Sequence, residues 1–77
     1  MSWKDIALPA GTKLYKSHKF NFMSKGATYH IEVDEFTDGS YSGHGEHSTD
    51  SSTVVASVSG ASVVECLEAL VKNIESK

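Results

Sequence analysis

The chain has no arginine, one cysteine and one proline, and no apolar run near the roughly 20 residues a membrane span needs. Each absence narrows the reading. Arginine is the preferred residue for bidentate phosphate recognition, so its absence speaks against sequence-specific reading of nucleic acid. Cys66 alone can form no internal disulfide, which points to a reducing cytoplasm. The opening Met1-Ser2-Trp3-Lys4-Asp5 is acidic where a signal peptide turns apolar, and Pro9 stops the run Ile6-Ala7-Leu8. No targeting segment is therefore expected. There is no Gly-x-Ser-x-Gly elbow and no glycine loop leading into a helix that would cradle a phosphate. Cys66 falls inside a predicted helix, where a thiol is usually an inert small hydrophobe. No catalytic residue and no cofactor are assigned, and the chain reads as a non-enzyme.

What is present is 77 residues, 39% apolar and 22% charged, which suits one small domain with a thin core. A stability of roughly 3–5 kcal/mol is expected for that size. Charge is divided along the chain. Residues 1–26 carry five lysines against Asp5, a net of +4, whereas residues 27–77 carry nine acids against Lys72 and Lys77, a net of −7.

Residues 1–11 read as an N-terminal arm, with Trp3 either folded back on the core or left as an exposed aromatic. Residues 12–22 have strand composition but poor alternation, as a bulge or an edge position would produce. Met23-Ser24-Lys25-Gly26 reads as a turn. Residues 27–36 alternate cleanly, Tyr29, Ile31 and Val33 against His30, Glu32 and Asp34, the period of a half-buried strand. Asp38-Gly39 marks a hairpin, and residues 41–48 return.

A three-residue loop with Gly39 in the left-handed conformation sets the register. It pairs Glu35 with Tyr41, Val33 with Gly43, Ile31 with Gly45 and Tyr29 with His47 on one face. On the other it pairs Asp34 with Ser42, Glu32 with His44 and His30 with Glu46. A two-residue turn would instead put charge on the apolar face, and a slip of one residue exchanges the faces. Gly43 and Gly45 then leave a flat trough against which a helix can pack.

Residues 49–52 form a polar loop. Residues 53–58 form a further strand with Val54, Ala56 and Val58 inward. Ser62-Val63-Val64-Glu65 is a capping box opening a helix over residues 62–75. Its apolar stripe is Val63, Leu67, Leu70, Val71 and Ile74, with Cys66 on the flank. The fold class is α+β: a three-stranded antiparallel sheet spanning residues 12–58, with one amphipathic C-terminal helix on one face (βββα).

Three functional readings follow. The acids Glu32, Asp34, Glu35, Asp38, Glu46 and Asp50 form a negative surface for a protein partner with a basic face. Lys13, Lys16, Lys19 and Lys25, interleaved with Tyr15, Phe20 and Phe22, could track a nucleic-acid backbone while rings stack on bases. His30, Glu32, His44 and Glu46, gathered on the outer face, could hold a divalent metal or respond to acid. A sheet edge and Trp3 offer routes to a homodimer. No membrane partner is expected.

The stretches Tyr29-His30-Ile31-Glu32-Val33, Asp38-Gly39-Ser40-Tyr41, Val58-Ser59-Gly60-Ala61-Ser62 and Glu65-Cys66-Leu67-Glu68-Ala69-Leu70, with Ile74-Glu75, resemble HicB-type antitoxin domains over residues 27–76. The resemblance extends to dsRNA-binding-like βββα sheets in general. It implies a βββα core and a role in neutralising a small RNase through its basic surface. Small acidic phage proteins, CRISPR inhibitors among them, look similar at this level. The family's proline-aspartate-leucine-proline-glycine stretch is replaced here by Gly43-His44-Gly45-Glu46-His47, and residues 1–26 have no counterpart. The function expected is a small inhibitor-type interaction module of the cytoplasm.

Overall fold

A computed structural model describes residues 2–50 and 52–76. Met1, Ser51 and Lys77, which the sequence reading places in the arm, the polar loop and the acidic half, lie outside the described residues.

Four strands, not three, make the sheet: β1 (Tyr15–Ser24), β2 (Ala27–Phe36), β3 (Tyr41–His47) and β4 (Val54–Gly60). They lie in the order β1-β2-β3-β4, each antiparallel to its neighbour. One helix, α1 (Val63–Glu75), follows. The α+β class with a C-terminal helix therefore holds, and the strand count is corrected.

The poorly alternating basic segment, already expected to be strand, supplies β1, so all four strand segments of residues 12–58 join the sheet. β1 pairs with β2 without interruption, from Tyr15 opposite Phe36 to Ser24 opposite Ala27. Its irregular pattern needs no bulge. Helix α1 lies chiefly over β4, β3 and β2 and touches β1 least. The helix-side positions of β1 therefore need not all be apolar, and Lys16 and His18 are accommodated there with Phe20 and Phe22. Phe20 keeps 38% of its surface exposed for the same reason. Lys25 and Gly26 join β1 to β2 with φ of 50° and 79°, the positive values a two-residue hairpin turn requires.

The β2–β3 hairpin has the register expected from its faces, from Glu35 opposite Tyr41 to Tyr29 opposite His47. Gly39 sits at φ 89°, and the Phe36 amide donates to the Ser40 carbonyl at 3.0 Å, closing a three-residue loop. Asp38 fastens the loop by accepting from the Ser40 amide and hydroxyl at 2.9 and 2.6 Å.

The irregularity lies between β3 and β4. Gly43 faces Val58 but Gly45 faces Val55, so Ala56 and Ser57 together oppose His44. That bulge turns Val55 inward, 7% exposed, and leaves Val54 70% exposed. The expected inward set Val54, Ala56 and Val58 is thus corrected to Val55 and Val58.

The core is Ile31, Val33, Val55, Cys66, Leu70 and Ile74. Cys66 occupies its centre rather than its flank, completely buried. The Cys66–Leu70–Ile74 row faces the sheet, and Leu67 and Val71 ride at its margin. Ser62 caps α1 by accepting from the Glu65 amide at 3.1 Å. This is half of the expected capping box, and the return contact from the Glu65 carboxylate is not made. A full box forms instead at Ser2 and Asp5, around a single 3-10 turn at Trp3–Asp5, where Trp3 is half-buried.

Candidate functional site

Period-2 alternation sends alternate residues of every strand to the sheet face opposite α1. From β2 these are His30, Glu32 and Asp34, and from β3 Ser42, His44 and Glu46. From β1 they are Ser17, Lys19 and Asn21. The helix covers the other face, so this one stands open and polar.

Three groups converge at its centre. The His44 Nε2 lies 3.5 Å from Glu32 Oε2, and its Nδ1 lies 3.9 Å from Asp34 Oδ2. One ligand atom from each of Glu32, Asp34 and His44 lies within 4.8 Å of the others. Asp34 is only 8% exposed, and its Oδ1 accepts from the Ser17 hydroxyl at 3.1 Å. Glu32 binds its proton more tightly than an ordinary glutamate. The chief cause is the Asp34 carboxylate, which accepts a hydrogen bond from the protonated form; partial burial and the Asp34 charge add to it, while His44 and Lys19 oppose it.

The candidate group His30, Glu32, His44 and Glu46 does not gather as one set. His30 turns toward β1, its Nδ1 2.9 Å from Asn21 Oδ1. Glu46 stays exposed beside it and joins no ion pair among the described residues. Asp34 takes their place beside Glu32 and His44. Period 2 put residues 32 and 34 on one face, and the hairpin register put His44 opposite Glu32, so this grouping was within reach of the sequence.

Neither do the expected acids form one surface. Glu32, Asp34 and Glu46 share the open face. Glu35 points to the helix side and is enclosed by the arm: Lys4 Nζ lies 2.6 Å from Oε2, His18 Nε2 3.0 Å from Oε1, and the Tyr41 hydroxyl donates to Oε2 at 3.2 Å. These contacts, Lys4 first, hold the Glu35 carboxyl down at about 2. Asp38 is committed to the β2–β3 loop. Asp50, at the far end of β3, accepts from Ser52 and Thr53 hydroxyls at 2.6 and 2.7 Å, which hold its carboxyl at about 2. The Lys4–Glu35–His18–Tyr41 network was missed in the sequence because it joins the arm to three strands.

The lysines separate as well. Lys19 lies on the open face opposite Glu32, and Lys16 on the helix side opposite Glu35. Lys13 precedes β1, its ammonium 5.9 Å from the centre of the Phe36 ring, and Lys25 sits in the β1–β2 turn. The four do not make one basic stripe.

A shallow depression of about 320 Å³ adjoins the three-residue cluster, lined by Lys19, Asn21, His30, Glu32 and Glu46 among others. No helix among the described residues is long and apolar enough to cross a membrane. No protein-family model matches the chain, and neither a curated protein nor a solved structure matches it.

Proposed function

We propose that the chain is a non-catalytic interaction module of inhibitor type, antitoxin-like or phage-inhibitor-like, that presents its open sheet face to a basic, nucleic-acid-handling protein. One observation carries the reading: Glu32, Asp34 and Glu46 share a face of the four-stranded sheet that α1 leaves uncovered. Negative charge on such a face accelerates encounter with a positive partner and competes for a site that otherwise holds phosphate. The separation of Lys13, Lys16, Lys19 and Lys25 argues against the nucleic-acid alternative, because backbone tracking needs its cations along one path. The lone thiol suits a partner met in the reducing cytoplasm.

The test is affinity capture with the wild-type protein and with the double variant Glu32→Gln, Glu46→Gln. A basic nuclease or nucleoprotein held at low salt, released by added salt and lost in the variant is the expected result. Salt-dependent retention on immobilised RNA or DNA, unchanged in the variant, would replace this reading with the nucleic-acid one.

A further inference from the structure

We infer that Glu32, Asp34 and His44 form a binding site for one divalent transition-metal ion of the zinc class on the open sheet face. The inference stands independently of any protein partner. Glu32 and Asp34 are two apart on β2, and His44 faces Glu32 across β3, so paired backbones fix all three positions. Ligands at about 2.0–2.2 Å from a tetrahedral zinc stand roughly 3.4 Å from one another. The Nε2–Glu32 contact of 3.5 Å is near that value, the 3.9 Å contact to Asp34 is made by the other ring nitrogen, and one ligand atom from each residue lies within 4.8 Å of the others. Half of the His44 side chain is exposed, which leaves the ring free to turn one nitrogen toward both acids.

The second observation concerns Asp34. Its side chain is only 11% exposed, its Oδ1 is held by the Ser17 hydroxyl, and its Oδ2 faces the His44 ring at 3.9 Å. A second carboxylate stands beside it, and no lysine ammonium lies within 4.0 Å of either among the described residues. A divalent cation offsets the repulsion between the two carboxylates. The Ser17 hydroxyl then serves as the outer contact that orients a ligand.

The donor set selects the ion. One imidazole with two carboxylates suits zinc and its transition-metal neighbours, whereas calcium and magnesium take oxygen alone. The other histidines are otherwise engaged. His18 contacts Glu35, His30 contacts Asn21, and His47 Nδ1 accepts from the Thr49 and Asp50 amides.

The experiment is calorimetric titration of the tag-free protein with zinc, magnesium and calcium chlorides, paired with NMR of the histidine side chains. Zinc is expected to bind one ion per chain and to shift the His44 resonances selectively, with no comparable heat from magnesium or calcium. His44→Gln, at a half-exposed position that leaves the core intact, is expected to weaken zinc binding by about tenfold or more. His30→Gln is expected to leave it unchanged. The inference is overturned by zinc heat no greater than background, by wild-type affinity in His44→Gln, or by equal binding of calcium or magnesium.

Discussion

Leu70 of α1 packs its Cδ1 onto the bare backbone of Gly43 in β3, where a Cβ would stand only 3.0 Å away. The same Cβ would meet Val58 Cγ2 at 3.0 Å and Cys66 Cβ at 3.4 Å. Two of these neighbours belong to α1 and one to β4, all are buried or half-buried, and they cannot all retreat together. Overpacking therefore outweighs the entropy an alanine saves in the unfolded chain. Gly43→Ala is expected to destabilise by about 1–3 kcal/mol, read as a lower urea midpoint at unchanged slope.

The β3–β4 bulge makes neighbouring valines unequal. Val55→Ala is expected to cost about 1–3 kcal/mol by removing buried methyl groups. Val54→Ala, at a 70% exposed position, should stay within about 0.5 kcal/mol of wild type. Chemical denaturation of the pair decides between the bulged register and simple alternation; the reverse order would require Val54 inside.

Ser62 satisfies one of the free amides at the start of α1, donated by Glu65. Ser62→Ala is expected to cost about 1 kcal/mol. Because the Glu65 side chain makes no return bond to the cap, Glu65→Ala should cost less than Ser62→Ala. Thermal melts of both variants test the difference.

Glu35 supplies a pH dependence with a defined sign. Its carboxyl lies at about 2 in the folded protein against an ordinary 4.5, held there by Lys4, His18 and Tyr41, with Lys16 across the strand. Between those values the unfolded chain binds the proton and the folded one does not. The contribution of Glu35 is complete above pH 4.5 and is lost as pH falls through about 2. Lys4 acts at the other end: its pKa is raised above 10.5, chiefly by its hydrogen bond to Glu35, so its contribution is present below 10.5 and is lost as pH rises through the folded value. Wild type should lose more Tm than Glu35→Gln between pH 4.5 and 2. Parallel curves would mean that the arm does not hold Glu35.

Cys66 is fully buried, and burial pushes its thiol upward, with the Glu65 charge adding to the shift. Its reactive thiolate is therefore scarce and shielded. A thiol reagent at pH 8 should label the folded protein slowly and the urea-unfolded protein quickly. Rapid labelling without denaturant would contradict the central position of Cys66.

The legible parts of the fold are those where local chemistry and both faces of an element agree. Asp38-Gly39 and the alternation of residues 29–34 select one β2–β3 register, and Gly43 in that register requires a close neighbour. The candidate metal site was partly visible for the same reason, since Glu32 and His44 follow from the hairpin. Asp34 lies on the same face of β2 by period 2, whereas its bond to Ser17 and the bond of His30 to Asn21 depend on pairing with β1.

The amino-acid pattern alone determined the α+β class, the hairpin register and the capped amphipathic helix, because turn geometry and residue periodicity act over a few neighbouring positions. Tertiary packing decided that β1 pairs with β2 over its full length without a bulge, that Val55 replaces Val54 inside, that Cys66 lies at the centre of the core, and that Lys4 reaches Glu35. Those outcomes depend on where α1 and the arm rest on the sheet, and that position follows from shape and burial between distant segments.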